Sequence, residues 1–515
     1  MPSESTLPPS LPSRMEVGGT PNPIRVLFRT TGLGWLCLAF VLYFCQTLPH
    51  LSYRWVTDES WYAAPGYSFA LGHGIANPAI GPNDFENHFD TRSPGTAIVI
   101  GTAFRLFGVG AIQARLGSVL AGLIIIFATY RLSYDVIGKQ GALIATFLIA
   151  TDNLLAVTSR AARPECLTAM AVMVSFLAIK QYASNRGLFG VLLSGFLIGL
   201  GSMFHVMLLG YIISFGILII VIDRRFGSFP LRGALTYSFG YALGLVPFAW
   251  WILSSPVGRA AFHDEYLNRA VGMSMWARIL GEEHRYSDFL GFNILHGHGL
   301  DFVPVRLLIP LVFIAATFLL WKLRRQWFYL EMLLLTPTVL WFIYLTTVKS
   351  SRYLVLLAPV FALAIGAAVA ATQPNRKLHR IMLGLAGLVV VMQIAANFFF
   401  LHSSRSADYN KVTAELNSVI PPGQAAYGTV TFWLALHDHP FISYERTDLW
   451  MAANQYHVRY FIAGDRVMTN GFLTPDSSHG PLQETMAEMI AQSQLVGQFP
   501  DPYYGDLKVY ELRQH

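Results

Sequence analysis

Charge is what this chain has least of. Across 515 residues only 13% are Asp, Glu, Lys or Arg, against about a quarter in soluble domains. That deficit cannot be spread over a surface that meets water everywhere, so a wholly soluble globular protein is excluded. Cysteine is scarce too. Cys37, Cys45 and Cys166 lie in or beside apolar runs with neither paired nor metal-ligand spacing, which argues against a disulfide framework and reads as small core residues. No repeat of fixed period is visible, which speaks against a transporter built from inverted halves. Nor is a signal peptide expected at this start. The first 24 residues are rich in Pro and Ser and read as a disordered cytosolic tail. The apolar run that follows, to about Leu48, is too long for a signal-peptide core and has no small-residue cleavage site.

Apolar residues fill the space that charge leaves. They make up 54% of the chain and give a mean hydropathy of +0.45. A membrane-spanning helix needs roughly 20 mostly apolar residues, and runs of about that kind fall near 28–48, 94–108, 111–131, 141–158, 164–183, 186–203, 206–222, 235–254, 304–322, 329–347, 352–371 and 381–401. The formal net charge of +6 does not point to nucleic acid, because Lys and Arg sit in short clusters between these runs. Arg224, Arg225 and Arg232, then Lys322, Arg324 and Arg325, then Arg376, Lys377 and Arg380 mark the cytoplasmic side under the positive-inside rule. The loops 50–93 and 255–303, and everything past 401, then lie outside. With Arg25 and Arg29 also inside, the number of spans must be odd, so eleven or thirteen fit and one of the twelve runs is miscounted. The short run 94–108, which holds Arg105, and the stretch 186–222, broken around His205, are the suspects. Past 401 the composition changes: turn signals such as Pro421-Pro422-Gly423 and strand-like runs such as Arg459–Ala463 predict a soluble α/β domain over 402–515. The expected architecture is an α-helical polytopic membrane domain over 25–401, of about 11–13 transmembrane helices, followed by that small domain.

The first outer loop opens with Trp55-Val-Thr-Asp58-Glu59-Ser-Trp61-Tyr62. Adjacent carboxylates repel each other, and at a membrane surface they mark a chemical task. The alternative is a helix cap, with Asp58 starting a short amphipathic helix whose Trp61, Tyr62 and Tyr67 lie in the interface. The loop closes on Asp90-Thr91-Arg92-Ser93-Pro94-Gly95, and the next run ends Phe107-Gly108 and leads to Ala114-Arg115-Leu116. Further on come Ser159-Arg160-Ala-Ala-Arg163-Pro164-Glu165 and Lys349-Ser-Ser-Arg352-Tyr353.

In that order the motifs resemble the GT-C glycosyltransferases that use lipid-phosphate sugars, such as the protein O-mannosyltransferases and the lipid A aminoarabinose transferases. The resemblance covers about residues 28–400. It departs where relatives have His-Pro-Pro or Lys-Pro-Pro and this chain has Arg92-Ser93-Pro94. It departs again at Thr91, where aminoarabinose transferases place a metal-binding Glu. Asp84, Glu86, His88 and Asp90 stand nearby, so a divalent metal remains an open requirement.

The resemblance implies an enzyme of a bacterial inner membrane, moving a sugar from a polyprenyl phosphate to a hydroxyl on a lipid, glycan or protein. Asp58 then corresponds to the base, with Glu59 orienting it or touching the acceptor, and a single displacement inverts the anomeric carbon. Arg92, Arg269, Lys349 and Arg352 are the expected phosphate ligands, since guanidinium forks suit phosphate oxygens. Lys349 and Arg352 also read as a pair snorkelling to the interface. Arg163, Glu165 and Tyr353 are expected to line the same cavity, and His263 or His284 could serve a metal. Rival readings are a flippase for lipid-linked sugar, for which Asp152 would need a charge partner, and a lipid-reading scaffold, which would not need the loop acids.

Overall fold

Inside a bilayer no water satisfies backbone N–H and C=O groups, so an apolar chain must bury them in helices. The computed structural model follows that rule and describes residues 32–79, 94–225, 231–254, 259, 274–290, 303–345, 351–403, 407–444, 449–464 and 488–512. Its helices are α1 (Leu33–Thr47), α2 (Thr57–Ala70), α3 (Pro94–Phe107), α4 (Ala111–Ala150), α5 (Asn153–Ser159), α6 (Pro164–Asn185), α7 (Leu188–Gly201), α8 (Gly210–Arg225), α9 (Arg232–Leu253), α10 (Met275–Leu290), α11 (Val303–Leu323), α12 (Arg325–Leu345), α13 (Ala358–Ala371), α14 (Arg376–Ser403), α15 (Tyr409–Val419) and α16 (Leu449–Gln455). Among the described residues, five stretches are long and apolar enough to cross a membrane: α4, α6, Val206–Arg225, Arg325–Tyr344 and Arg376–His402. Shorter apolar helices stand with them, including α1, α3, α7 and α13. The protein is an integral membrane protein. The N-terminal tail expected over 1–24 lies outside the described residues.

Both suspect stretches form helices. The run 94–108 is α3, only 14 residues long, and the stretch 186–222 is two helices parted at His205. At about 1.5 Å per residue, the 40 residues of α4 would cross a bilayer twice. They do so by breaking at Gly138, whose φ of 79° and ψ of 171° suit only glycine. The chain reverses there. Tyr43 of α1 donates to the Val119 carbonyl, and Gln46, one turn on, accepts from Asn397, which also donates to Thr151. Residues 119 and 151 therefore share one end, with Gly138 at the other.

Close helix contact comes from glycine. Gly195 and Gly199 of α7 face Gly240 and Gly244 of α9, and a Cβ added to any of the four would lie 2.1–2.3 Å from a backbone oxygen of the other helix. In lipid, where burial gives no extra drive, such small-residue seams let backbones touch and gain dispersion energy. Gly66 of α2 and Gly101 of α3 make a similar seam. Two of the cysteines depart from the core reading: Cys166 is buried, whereas Cys37 and Cys45 face outward from α1.

The C-terminal domain is a five-stranded mixed sheet in the order β2-β1-β3-β5-β4, with β1 (Ala426–Gly428), β2 (Phe441–Ser443), β3 (Tyr460–Gly464), β4 (Gln494–Asp501) and β5 (Gly505–Glu511). Strands β2, β1 and β3 run parallel, and β5 is antiparallel to β3 and β4. This domain sits on the start of the first loop. Tyr53 bridges to Asp408, and the Tyr504 hydroxyl donates to the Trp55 carbonyl at 2.6 Å while accepting from the Trp55 N–H at 2.8 Å. Burial pushes the Tyr504 phenol well above its usual range, so it keeps the proton it donates.

Candidate active site

Helix α2 is started by the acidic pair. Glu59 stands at its third position and accepts from the Val56 N–H at 3.2 Å, the return half of a capping box. A carboxylate in the first turn is also favoured by the helix dipole. The two acids then diverge. Glu59 is 1% exposed and is gripped by the Arg115 guanidinium through two parallel bonds of 2.8 Å. Its Oε1 also accepts from the Ala162 N–H at 2.8 Å. The other three N–H groups of Arg115 go to the carbonyls of Leu51, Tyr53 and Arg54 at 2.7–2.9 Å. Every donor of that guanidinium is thereby committed. The knot ties the end of α1 and the start of α2, α4 and the turn before α6 to one point.

Asp58 faces the other way. Its side chain is 54% exposed and forms an ion pair with Arg163, which is 7% exposed. Arg163 in turn grips Glu165, with Nε at 2.9 Å and Nη2 at 2.6 Å from Oε1. The Pro164 that follows Arg163 takes the first helical position of α6, where a missing N–H costs nothing, so Arg163 and Glu165 are fixed at a helix start. The outer oxygen of Glu165 is buried without a hydrogen-bond partner among the described residues.

The late motif arrives at the same place. Arg352 and Tyr353 lie on a 3-10 turn, Ser351–Leu356, packed on α5 and α6. Arg352 is near enough to act on the charge of Glu165. Tyr353 packs against His205 with ring centroids 5.3 Å apart and planes tilted by 55°. His205 accepts from the Met207 N–H at Nδ1, so in the neutral ring Nε2 carries the proton. The same elbow takes the Gly95 N–H on the Met203 carbonyl at 2.9 Å, which pins the start of α3 beside it. Sequence reasoning noticed His205 only as a break between runs. Its signal is a polar residue where an apolar stretch changes direction.

Of the residues expected at the site, Asp58, Glu59, Arg163, Glu165, Arg352 and Tyr353 gather at this end of the bundle. Arg92, Arg269 and Lys349 lie outside the described residues, as do His263 and the His284 side chain. Trp61, Tyr62 and Tyr67 were the candidates for an interfacial face. Trp61 and Tyr67 instead turn to the C-terminal domain: Trp61 is 5% exposed within the core it shares with Trp433, and Tyr67 packs on Trp433 and His437. Asp152 is a helix cap, accepting from the Leu155 N–H at 2.8 Å and from Gln393 at 3.3 Å. That role leaves nothing for a transport charge pair to explain. Among the described residues no three His, Cys, Asp or Glu side chains converge as a metal site, and Asp84, Glu86, His88 and Asp90 lie outside them.

The described residues thus form an apolar helical bundle with an acidic start to the first loop helix, basic residues from two later turns and a small mixed sheet over that end. In sequence, a family model described as dolichyl-phosphate-mannose-protein mannosyltransferase matches residues 91–253. In structure, the chain is similar to ArnT from Cupriavidus metallidurans in the apo state, at 14% identity and a TM-score of 0.59, over 94% of this chain and 98% of that one. It is similar as well to the same protein bound to undecaprenyl phosphate, at 13% identity and a TM-score of 0.61, over 93% and 98%. No curated protein matches the chain by sequence.

Proposed function

We propose that the protein transfers a sugar from a polyprenyl-phosphate donor to an acceptor hydroxyl, with Asp58 as the base, at the extracytoplasmic face. The observation that carries this reading is the contrast within the acidic pair. One carboxylate is buried and fully bonded, and its neighbour is held half in the open by a buried arginine. The match to mannosyltransferases over residues 91–253 and the likeness to a fold solved with undecaprenyl phosphate support the donor class.

The donor is already activated, because its leaving group is a phosphodiester that needs little protonation. Two demands remain: removing the acceptor proton and receiving the departing charge. The acceptor oxygen attacks the anomeric carbon as its proton passes to the Asp58 carboxylate. The bond from that carbon to the phosphate oxygen breaks, and the phosphate departs with the electron pair. One displacement with the base opposite the leaving group inverts the anomeric centre. Arg163 aims Asp58, while Glu165 balances the charge of Arg163. Arg352, with Arg92, Arg269 and Lys349 assigned from the sequence, is placed in this reading to receive the phosphate. Glu59 takes the orienting role, since both its oxygens are engaged within the protein.

Incubating purified protein with a polyprenyl-phosphate sugar and a hydroxyl acceptor tests the reading directly. Release of free polyprenyl phosphate with transfer of the sugar is the expected result. A donor that is bound or moved across vesicles without being cleaved would contradict it.

A further inference from the structure

The end of the bundle opposite Asp58 holds a cavity with charged groups in its wall. There α4, α6, α8, α11, α12 and α13 enclose a cavity of about 210 Å³, walled by apolar side chains such as Phe176, Leu334 and Ala364. Two ionisable groups interrupt that wall, Lys180 and Glu331. Glu331 is 4% exposed, and one of its oxygens accepts from the Thr317 hydroxyl. The other oxygen is buried with no hydrogen-bond partner among the described residues. A carboxylate left so in an apolar wall is costly unless a cation or donor reaches it. Lys180 pairs with Asp135 and donates to the Arg131 carbonyl at 3.1 Å, which uses two of its three N–H groups. Glu331 stands six residues inside the start of α12 and Lys180 five inside the end of α6, so at 1.5 Å per residue both lie about 8–9 Å below their helix ends. Trp327 stands in the same wall, with the Arg324 guanidinium 5.8 Å from its ring, as interfacial aromatics do.

We propose that this cavity binds a membrane phospholipid with a primary-amine headgroup. Part of one acyl chain enters the apolar cavity, the phosphate meets the remaining N–H of Lys180, and the ammonium meets the open oxygen of Glu331. The charges select the occupant. Apolar walls alone would take any chain, but a polyprenyl phosphate brings no cation for Glu331, and an anionic phospholipid without an amine leaves that carboxylate unmatched. The site is independent of the chemistry proposed at Asp58.

The full-length protein, purified in mild detergent, is washed, exposed to mixed vesicles of phosphatidylethanolamine and phosphatidylglycerol doped with polyprenyl phosphate, and read by native mass spectrometry. The wild type is expected to keep one phosphatidylethanolamine per chain, in preference to phosphatidylglycerol by about tenfold, the scale of one charge-assisted bond. Glu331→Gln, nearly the same in shape, should erase the preference. Ala364→Leu, which fills the cavity, should lose the lipid, and Val136→Trp at the 48%-exposed rim serves if Ala364→Leu does not fold. Equal retention of the two phospholipids by the wild type, retention of polyprenyl phosphate instead, no retained lipid, or retention unchanged in the cavity-filling variant would each overturn the proposal.

Discussion

Asp58 and Glu59 are adjacent residues with opposite surroundings, and the difference follows from where a helix start points them. Glu59 reaches back to its own cap and into Arg115; Asp58, one position earlier, projects toward the open side and meets Arg163. Removing one partner of a buried pair strands the other, at a cost of about 3–5 kcal/mol. Arg115→Met should therefore lower the thermal midpoint in detergent markedly, whereas an unchanged midpoint would show the knot to be slack. For Arg352 the expected effect falls on substrate use. Arg352→Ala should raise KM for the donor by an amount equivalent to about 1.5–3 kcal/mol with the fold intact, and Arg352→Lys should restore only part of it, because the two-pronged geometry is lost. Saturation curves that overlay the wild type would remove Arg352 from the phosphate site. The acidic pair and both basic motifs were legible from residue order. Their pairings were not, because Glu59 finds Arg115 56 positions away and Asp58 finds Arg163 105 positions away. Arg115 was noticed as part of a motif, without any sign that it would be Glu59 that it holds.

Helices as units were largely readable, since apolar runs must become helices in lipid. What composition does not mark is where two runs join or touch. Run 111–131 and run 141–158 belong to two helical halves that meet at Gly138 and lie antiparallel in space, a reversal that one glycine permits. The α7–α9 seam was equally invisible, because a glycine in an apolar run reads the same whether it faces lipid or a neighbouring backbone. It gives a sharp expectation. Gly199→Leu or Gly244→Leu forces the pair apart and should cost at least the usual overpacking penalty of about 1–3 kcal/mol, seen as a lower yield of monodisperse protein and a lower thermal midpoint. The same substitution at Gly384, where an added Cβ meets nothing within 4 Å, should be tolerated. Equal losses at the two positions would refute the packing argument.

At the scale of the whole molecule, two sets of polar residues are separated by the thickness of the bundle. The C-terminal sheet, the acidic pair and the 351–356 turn share one end. The turns at Gly138 and at 372–380 share the other, where Gln140 meets His379 and Gln373. Basic clusters sit at the second end, which the positive-inside rule assigns to the cytoplasm. A cysteine placed at the exposed Asn454, in a background with the outward-facing Cys37 and Cys45 replaced, should react with an impermeant maleimide added outside. One placed at Arg376 should react only after lysis. The reverse pattern would invert the topology. In the proposed reaction the acceptor hydroxyl would reach Asp58 from the same side, beneath the C-terminal domain. The most direct test of the account is transfer by purified Asp58→Asn, which keeps the shape and much of the hydrogen bonding of the carboxylate but cannot take a proton. Donor binding close to wild type with sugar transfer lowered by about 100-fold or more, the scale of a lost general base, is the predicted result. Transfer near the wild-type rate in correctly folded Asp58→Asn would contradict it.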